Sequence, residues 1–121
     1  MVLLTDCKSM DILFKTNQLK KECNNAKLLQ RRHGPNRAIR IQKRLDDLHA
    51  ADCLADISHL PPARCHELTG NRKGQFSVDL DHPYRLLFIP ANTPIPQSED
   101  GGIDRTKVTA IEIIGVVDTH E

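Results

Sequence analysis

The sequence predicts an α+β domain in which an N-terminal helical hairpin packs on one face of a small, mainly antiparallel β-sheet. Two observations carry this: helix-spaced apolar residues fill positions 17–50, and strand-like alternation is concentrated after position 64. The element order is therefore short strand, two helices, then strands, and 121 residues suit one domain. There is no internal repeat or low-complexity segment.

Residues 1–9 show no periodicity and read as a loose extension, with Met10 a second candidate initiator. Met10 to Lys15 forms a short strand. From Asn17 to His33 the composition is helical, with Leu19, Cys23 and Ala26 along one stripe, and Gly34-Pro35 ends it. The next helix spans Asn36 to Ala50, where Ala38, Ile41, Leu45 and Leu48 recur at three- and four-residue steps. Arg37, Arg40, Lys43 and Arg44 occupy its outer face, and Asp52 caps a last turn through Ile57. Ser58 to Pro62 is then extended.

Phe76, Val78 and Leu80 alternate with polar residues, and Tyr84 to Ile89 follows after the turn-forming Asp81-His82-Pro83. A three-residue loop at 81–83 sets Leu80 opposite Tyr84, Val78 opposite Leu86 and Phe76 opposite Phe88, so apolar residues share a face. Arg85 then lies opposite Asp79. Residues 90–106 hold three of the seven prolines and form a long surface loop. Lys107 to Asp118 closes the chain as a central strand covered on both sides, with Val108, Ala110, Ile114 and Val116 on one face and Ile111, Ile113 and Val117 on the other.

The net charge of +1 hides a division. Residues 1–44 carry 11 Lys or Arg against 3 Asp or Glu, and residues 45–121 carry 6 against 13. A basic N-terminal third marks either solvated helix faces or contact with nucleic acid or an acidic partner. With no Trp, one Tyr and three Phe, few rings are left to stack on bases. Four cysteines without a Cys-x-x-Cys spacing, and no signal sequence, point to a reducing cytoplasm. No apolar run approaches membrane length. Six His and four Cys raise the question of a metal, but no metal-ligand spacing is present, so none is expected.

The remaining chemistry lies in Arg64, His66, Arg72, Lys73, Arg85 and His120. Gly70-Asn71-Arg72-Lys73-Gly74 sets two cations between glycines, which suits either phosphate approach or a solvated turn. Arg85, among apolar neighbours, requires a partner, and a structural pair with Asp79 competes with phosphate binding. His66 and His120 carry the side chain best suited to proton exchange near neutrality, though either also serves as an ordinary structural residue.

These residues resemble the HigB-type toxins of the RelE/ParE superfamily, the killer proteins of plasmid maintenance and other toxin–antitoxin systems. The likeness rests on His66-x-Leu68-x-Gly70 through Arg72-Lys73-Gly74, on Phe76-Ser77-Val78 with Tyr84 to Phe88, and on the terminal Asp118-Thr119-His120; it spans roughly residues 10–120. It implies a RelE-like fold and a metal-independent, ribosome-dependent ribonuclease that cuts messenger RNA, with no cofactor. It also implies a helix-turn-helix (HigA-like) antitoxin as partner. On this likeness His66, Arg85 and His120 are the catalytic candidates, Arg85 contacting the scissile phosphate, and Arg64, Arg72 and Lys73 are the RNA-binding ones. Thr69 stands where active members often carry lysine, Asp81 near a position that is often basic, and Thr119 where tyrosine usually precedes the last histidine. Arg72 and Lys73 are the candidates to supply the missing charge. The 90–106 loop is longer than in compact members. Retained Arg85 and His120 favour cleavage; Thr69 and Thr119 favour a noncatalytic binding or antitoxin-side protein of the same fold. A ParE-like gyrase inhibitor is the third reading.

Overall fold

The computed structural model describes residues 9–118; Cys7, Thr119 and His120 lie outside them. The predicted first strand is β1 (Asp11–Phe14), entered from Met10, which is wholly buried and donates its N–H to Ala51 O at 2.9 Å.

The helix expected over Asn17–His33 is two helices, α1 (Asn17–Cys23) and α2 (Ala26–His33). Two asparagines make the break. Asn24 turns its side-chain amide back to Lys20 O, while Asn25 accepts from the N–H groups of Lys27 and Leu28 at 3.0 and 3.2 Å, capping a new helix. Asparagine bonds backbone locally and so is worth more at a cap than inside a helix. Gly34, at φ 84 and ψ 161, has the positive φ expected of it but an extended ψ, and it leads directly into α3 (Pro35–Ala50) with Pro35 in the first turn.

Ala38, Ile41, Leu45 and Leu48 of α3 are buried as their spacing requires. Two of the four cations expected on its outer face turn inward instead. Arg44 is buried, with Nε donating to Asp79 O at 2.9 Å and Nη1 to Asp47 at 2.9 Å; Arg37 reaches Asp81. Burying a guanidinium is tolerable only with such partners. Asp52 caps nothing: the short 3-10 turn Leu54–Asp56 has no side-chain cap, and Asp52 N–H donates to the Asp56 carboxylate.

The sheet is mixed and five-stranded, in the order β1-β5-β4-β3-β2, adding β2 (His66–Glu67), β3 (Phe76–Asp79), β4 (Tyr84–Pro90) and β5 (Ala110–Asp118). β5 runs parallel to β1, and the other pairs are antiparallel. β3 and β4 pair Phe76 with Phe88, Val78 with Leu86 and Asp79 with Arg85, the register required by a loop at 81–83. β2 is too short to have been read from alternation.

Partners across antiparallel strands share a face. Phe76, Val78, Leu86, Phe88, Ile111 and Ile113 join Leu29 of α2 and the α3 stripe in one core, with Phe76 and Phe88 stacked at 5.8 Å. Burying each such side chain contributes about 1.5–3 kcal/mol. In β5 the expected faces are wrong at both ends: the strand starts only at Ala110, with Val108 before it in the core beside Ile111 and Ile113, and the alternation fails again beyond Ile113. A bulge opposite Leu87/Phe88 omits Ile114 from the pairing and resets the alternation, so Val116 joins Ile111 and Ile113 on the core side. β5 is central, yet its second face is only half-buried.

The 90–106 loop is tied down. Asn92 Oδ1 accepts from Thr109 and Ala110 N–H, Gln97 and Ile103 form an isolated bridge, and Arg105, in the 3-10 turn Arg105–Lys107, stacks over Phe76 at 4.9 Å.

Candidate functional site

The face of the sheet turned away from the core carries the chemistry. His66 of β2 stands opposite Ser77 of β3, which stands opposite Leu87 of β4; two residues along, Asp79 pairs with Arg85, and Arg85 with Val117. His66 and Arg85 thus lie on one surface, two strands and two residues apart, about 12 Å between Cα atoms from ideal strand spacings. That distance suits two long side chains meeting a phosphodiester between them.

His66 is oriented by its backbone surroundings. Its Nδ1 lies 3.0 Å from Arg64 O. A carbonyl only accepts, so Nδ1 carries the proton and, in the neutral ring, Nε2 holds the free lone pair. Next to it, burial pushes the Cys65 thiol up to about 11, which keeps it protonated and a poor nucleophile at neutral pH. Ser77, fully buried beside His66, has a hydroxyl without a hydrogen-bond partner among the described residues.

The glycine-bounded segment is the hairpin loop joining β2 to β3. Gly70 and Gly74 have φ 64 and 91, values that residues with a Cβ adopt reluctantly. Gly74 N–H donates to the Glu67 carboxylate at 3.1 Å, and Leu68 N–H to Gln75 O at 2.8 Å, which closes the loop. Leu68, Thr69, Asn71, Arg72, Gln75 and Arg85 line an open cleft of about 660 Å³. Two of the lining residues, Arg72 and Arg85, are cationic. Arg72 is exposed, and among the described residues its side chain makes one contact, 3.4 Å to Gln75 Oε1. Lys73 is exposed at the loop's end and is not among the cleft-lining residues. Thr69, also exposed, places a hydroxyl where the resemblance leads one to expect an ammonium.

Arg85 has the partner its surroundings require. Its Nε is 3.5 Å from Asp79 Oδ1, an ion-pair contact rather than a good hydrogen bond. Asp79 is held more closely by Arg64, whose Nε and Nη2 donate at 2.8 and 3.3 Å. Arg64, half-exposed, is therefore engaged in the protein, and sequence reading missed this pairing, as it missed the anchoring by Glu67.

Asp81 does not belong to this constellation. It receives three donor contacts from Arg37 at 3.0–3.2 Å, and that guanidinium lies 3.6 Å over the Tyr84 ring. Hydrogen bonding to Arg37 holds the Asp81 carboxyl below the usual carboxylate range. Arg72 and Arg85 thus line one cleft and Arg64 shares Asp79 with Arg85, whereas His66 lies on the same sheet face but is not among the cleft-lining residues, Lys73 is at the margin, and His120 is outside the described residues.

No protein-family model matches the sequence, and no curated protein matches it. Among solved structures the chain is similar to the "YoeB-YefM complex from Staphylococcus aureus", at 15% identity and a TM-score of 0.48, covering 93% of this chain and 98% of that one. At that level the likeness transfers neither activity nor site residues. No helix among the described residues is long and apolar enough to cross a membrane.

Proposed function

We propose that this protein is the toxin of a type II toxin–antitoxin pair, a HigB-like endoribonuclease that cuts messenger RNA on the ribosome and is held in check by a helix-turn-helix (HigA-like) antitoxin. The observation that carries the reading is His66: an imidazole with Nδ1–H tied to a backbone carbonyl, on the same sheet face as the cleft-lining Arg85. In the reaction Nε2 of His66 takes the proton of a ribose 2′-hydroxyl, whose oxygen bonds to the adjacent phosphorus as the bond to the 5′-oxygen breaks. The products are a 2′,3′-cyclic phosphate and a free 5′-hydroxyl. Arg85 and Arg72 stabilise the charge that accumulates on the phosphoryl oxygens. His120, outside the described residues, is assigned the proton for the leaving oxygen. The steps call for no metal or cofactor.

Thr69 favours the second reading, an RNA-binding protein of this fold without cleavage, because the cleft has one cation fewer than the resemblance implies. Induced expression separates the two. The wild type is expected to arrest growth and create new messenger RNA 5′ ends, and Arg85→Ala to reduce both by at least tenfold, as removal of a charge-stabilising donor does. Unimpaired growth and intact transcripts in the wild type would sink the ribonuclease reading.

A further inference from the structure

We propose that Arg64 is a positioning residue that occupies Asp79 and so keeps it from closing on Arg85, rather than a contact to RNA. The inference rests on reading Arg85 as the phosphate ligand.

One carboxylate serves two guanidinium groups here, and the sharing is unequal. Arg64 takes both oxygens, Nε to Oδ2 at 2.8 Å and Nη2 to Oδ1 at 3.3 Å. Arg85 is left with one contact at 3.5 Å, from Nε alone, and no other described partner for its Nη edge. Asp79 and Arg85 are direct cross-strand partners. They stand where a two-point pair would form if Asp79 were unoccupied, since the parallel fork is the favoured geometry of arginine and carboxylate. Such a pair would spend the Nη edge that a phosphate needs.

The backbone gives an independent reason to regard Arg64 as placed. Its φ is 48, the sole positive value among the described non-glycine residues, and this left-handed region is costly for a side chain with Cβ. The segment is pinned there: Arg64 N–H donates to Leu60 O at 2.9 Å, Cys65 N–H to Ser58 O at 2.9 Å, and Asp79 N–H to Ala63 O at 2.7 Å. From this one conformation Arg64 does two things. Its carbonyl fixes the His66 ring, and its guanidinium holds Asp79.

The test is a double-mutant cycle in RNA binding, using a fluorescent 2′-O-methyl RNA oligonucleotide that cannot be cleaved. Arg64→Ala should weaken binding about tenfold, and Asp79→Asn should recover about tenfold in the Arg64→Ala background but change binding less than threefold where Arg64 is retained. An equal effect of Asp79→Asn in both backgrounds means that Arg64 simply contacts RNA, and overturns the proposal. A second measurement needs no RNA: the Arg85 Nε–Hε resonance of labelled protein should move downfield and exchange more slowly in Arg64→Ala, and revert in the double variant. An unmoved resonance overturns the proposal by itself. If the resonance moves while wild type binds no RNA, the positioning role stands and the ribonuclease reading fails. Should Arg64→Ala not fold, Arg64→Gly, which suits φ 48, carries the same cycle.

Discussion

His66 is the residue on which the proposed chemistry turns, and its two nitrogens can be tested separately. Asparagine reproduces the Nδ1 donor: its side-chain amide reaches Arg64 O as the imidazole does, but nothing stands at Nε2. His66→Asn is therefore expected to lower RNA cleavage by about 10²–10⁴, the usual worth of a general base, with a change in unfolding free energy within about 0.5 kcal/mol. Loss of cleavage together with a large loss of stability would make His66 a structural residue. At this scale residue type was legible in the sequence: imidazole and guanidinium announce what they can do wherever they sit. What Arg64 does was not legible, because its role depends on a backbone angle and on a carboxylate 15 residues away, and neither leaves a mark in local composition.

Among the elements, the register of the β3–β4 hairpin was legible, since a three-residue turn at 81–83 puts Phe76, Val78, Leu86 and Phe88 on a common face and a turn one residue shorter does not. Two departures have physical causes. The bulge at Ile114 inserts one residue and so inverts alternation, and two adjacent asparagines divide a helix whose apolar stripe alone reads as continuous. How α3 meets the hairpin turn was also hidden. Arg37 and Asp81 make that connection over 44 residues, and Arg37 then lies on Tyr84. Both ends of the pair are mostly shielded, so Asp81→Asn should cost about 1 kcal/mol at neutral pH. The carboxyl's folded value lies below its unfolded one, so as pH falls the unfolded chain takes up the proton first. The contribution is thus complete above about pH 4 and shrinks as pH falls through the folded value. Urea unfolding of wild type and Asp81→Asn should differ at pH 7 and converge toward pH 3. A constant gap would show that the pair's charge does not matter.

For the molecule as a whole, the decisive feature is that its cations fall into two groups, one on the helices and one beside His66 and Arg85 on the sheet. The sheet's core face carries the helices, and its other face carries His66 and Arg85. Of the helical cations, Arg32, Arg37 and Arg44 are spent on Glu22, Asp81 and Asp47, whereas Lys27, Arg31, Arg40 and Lys43 are exposed with no ion pair to a described carboxylate. The charge division seen in the sequence therefore survives folding as a basic helical surface, and Ile39 stands in it 64% exposed. A tetranucleotide in the cleft cannot reach across a sheet and a helical layer, roughly 20 Å by usual layer spacings. A long folded RNA can. Reversing Arg31, Arg40 and Lys43 to glutamate should leave tetranucleotide binding within about twofold while weakening binding to ribosome-sized RNA by tenfold or more. The dependence of log affinity on log salt should flatten by about 2, near 0.7 for each lost phosphate contact. Equal weakening of both ligands would reduce the effect to the protein's overall field. If neither ligand responds, RNA is not what this surface meets, and an acidic segment of the proposed antitoxin becomes the partner to test with the same three substitutions.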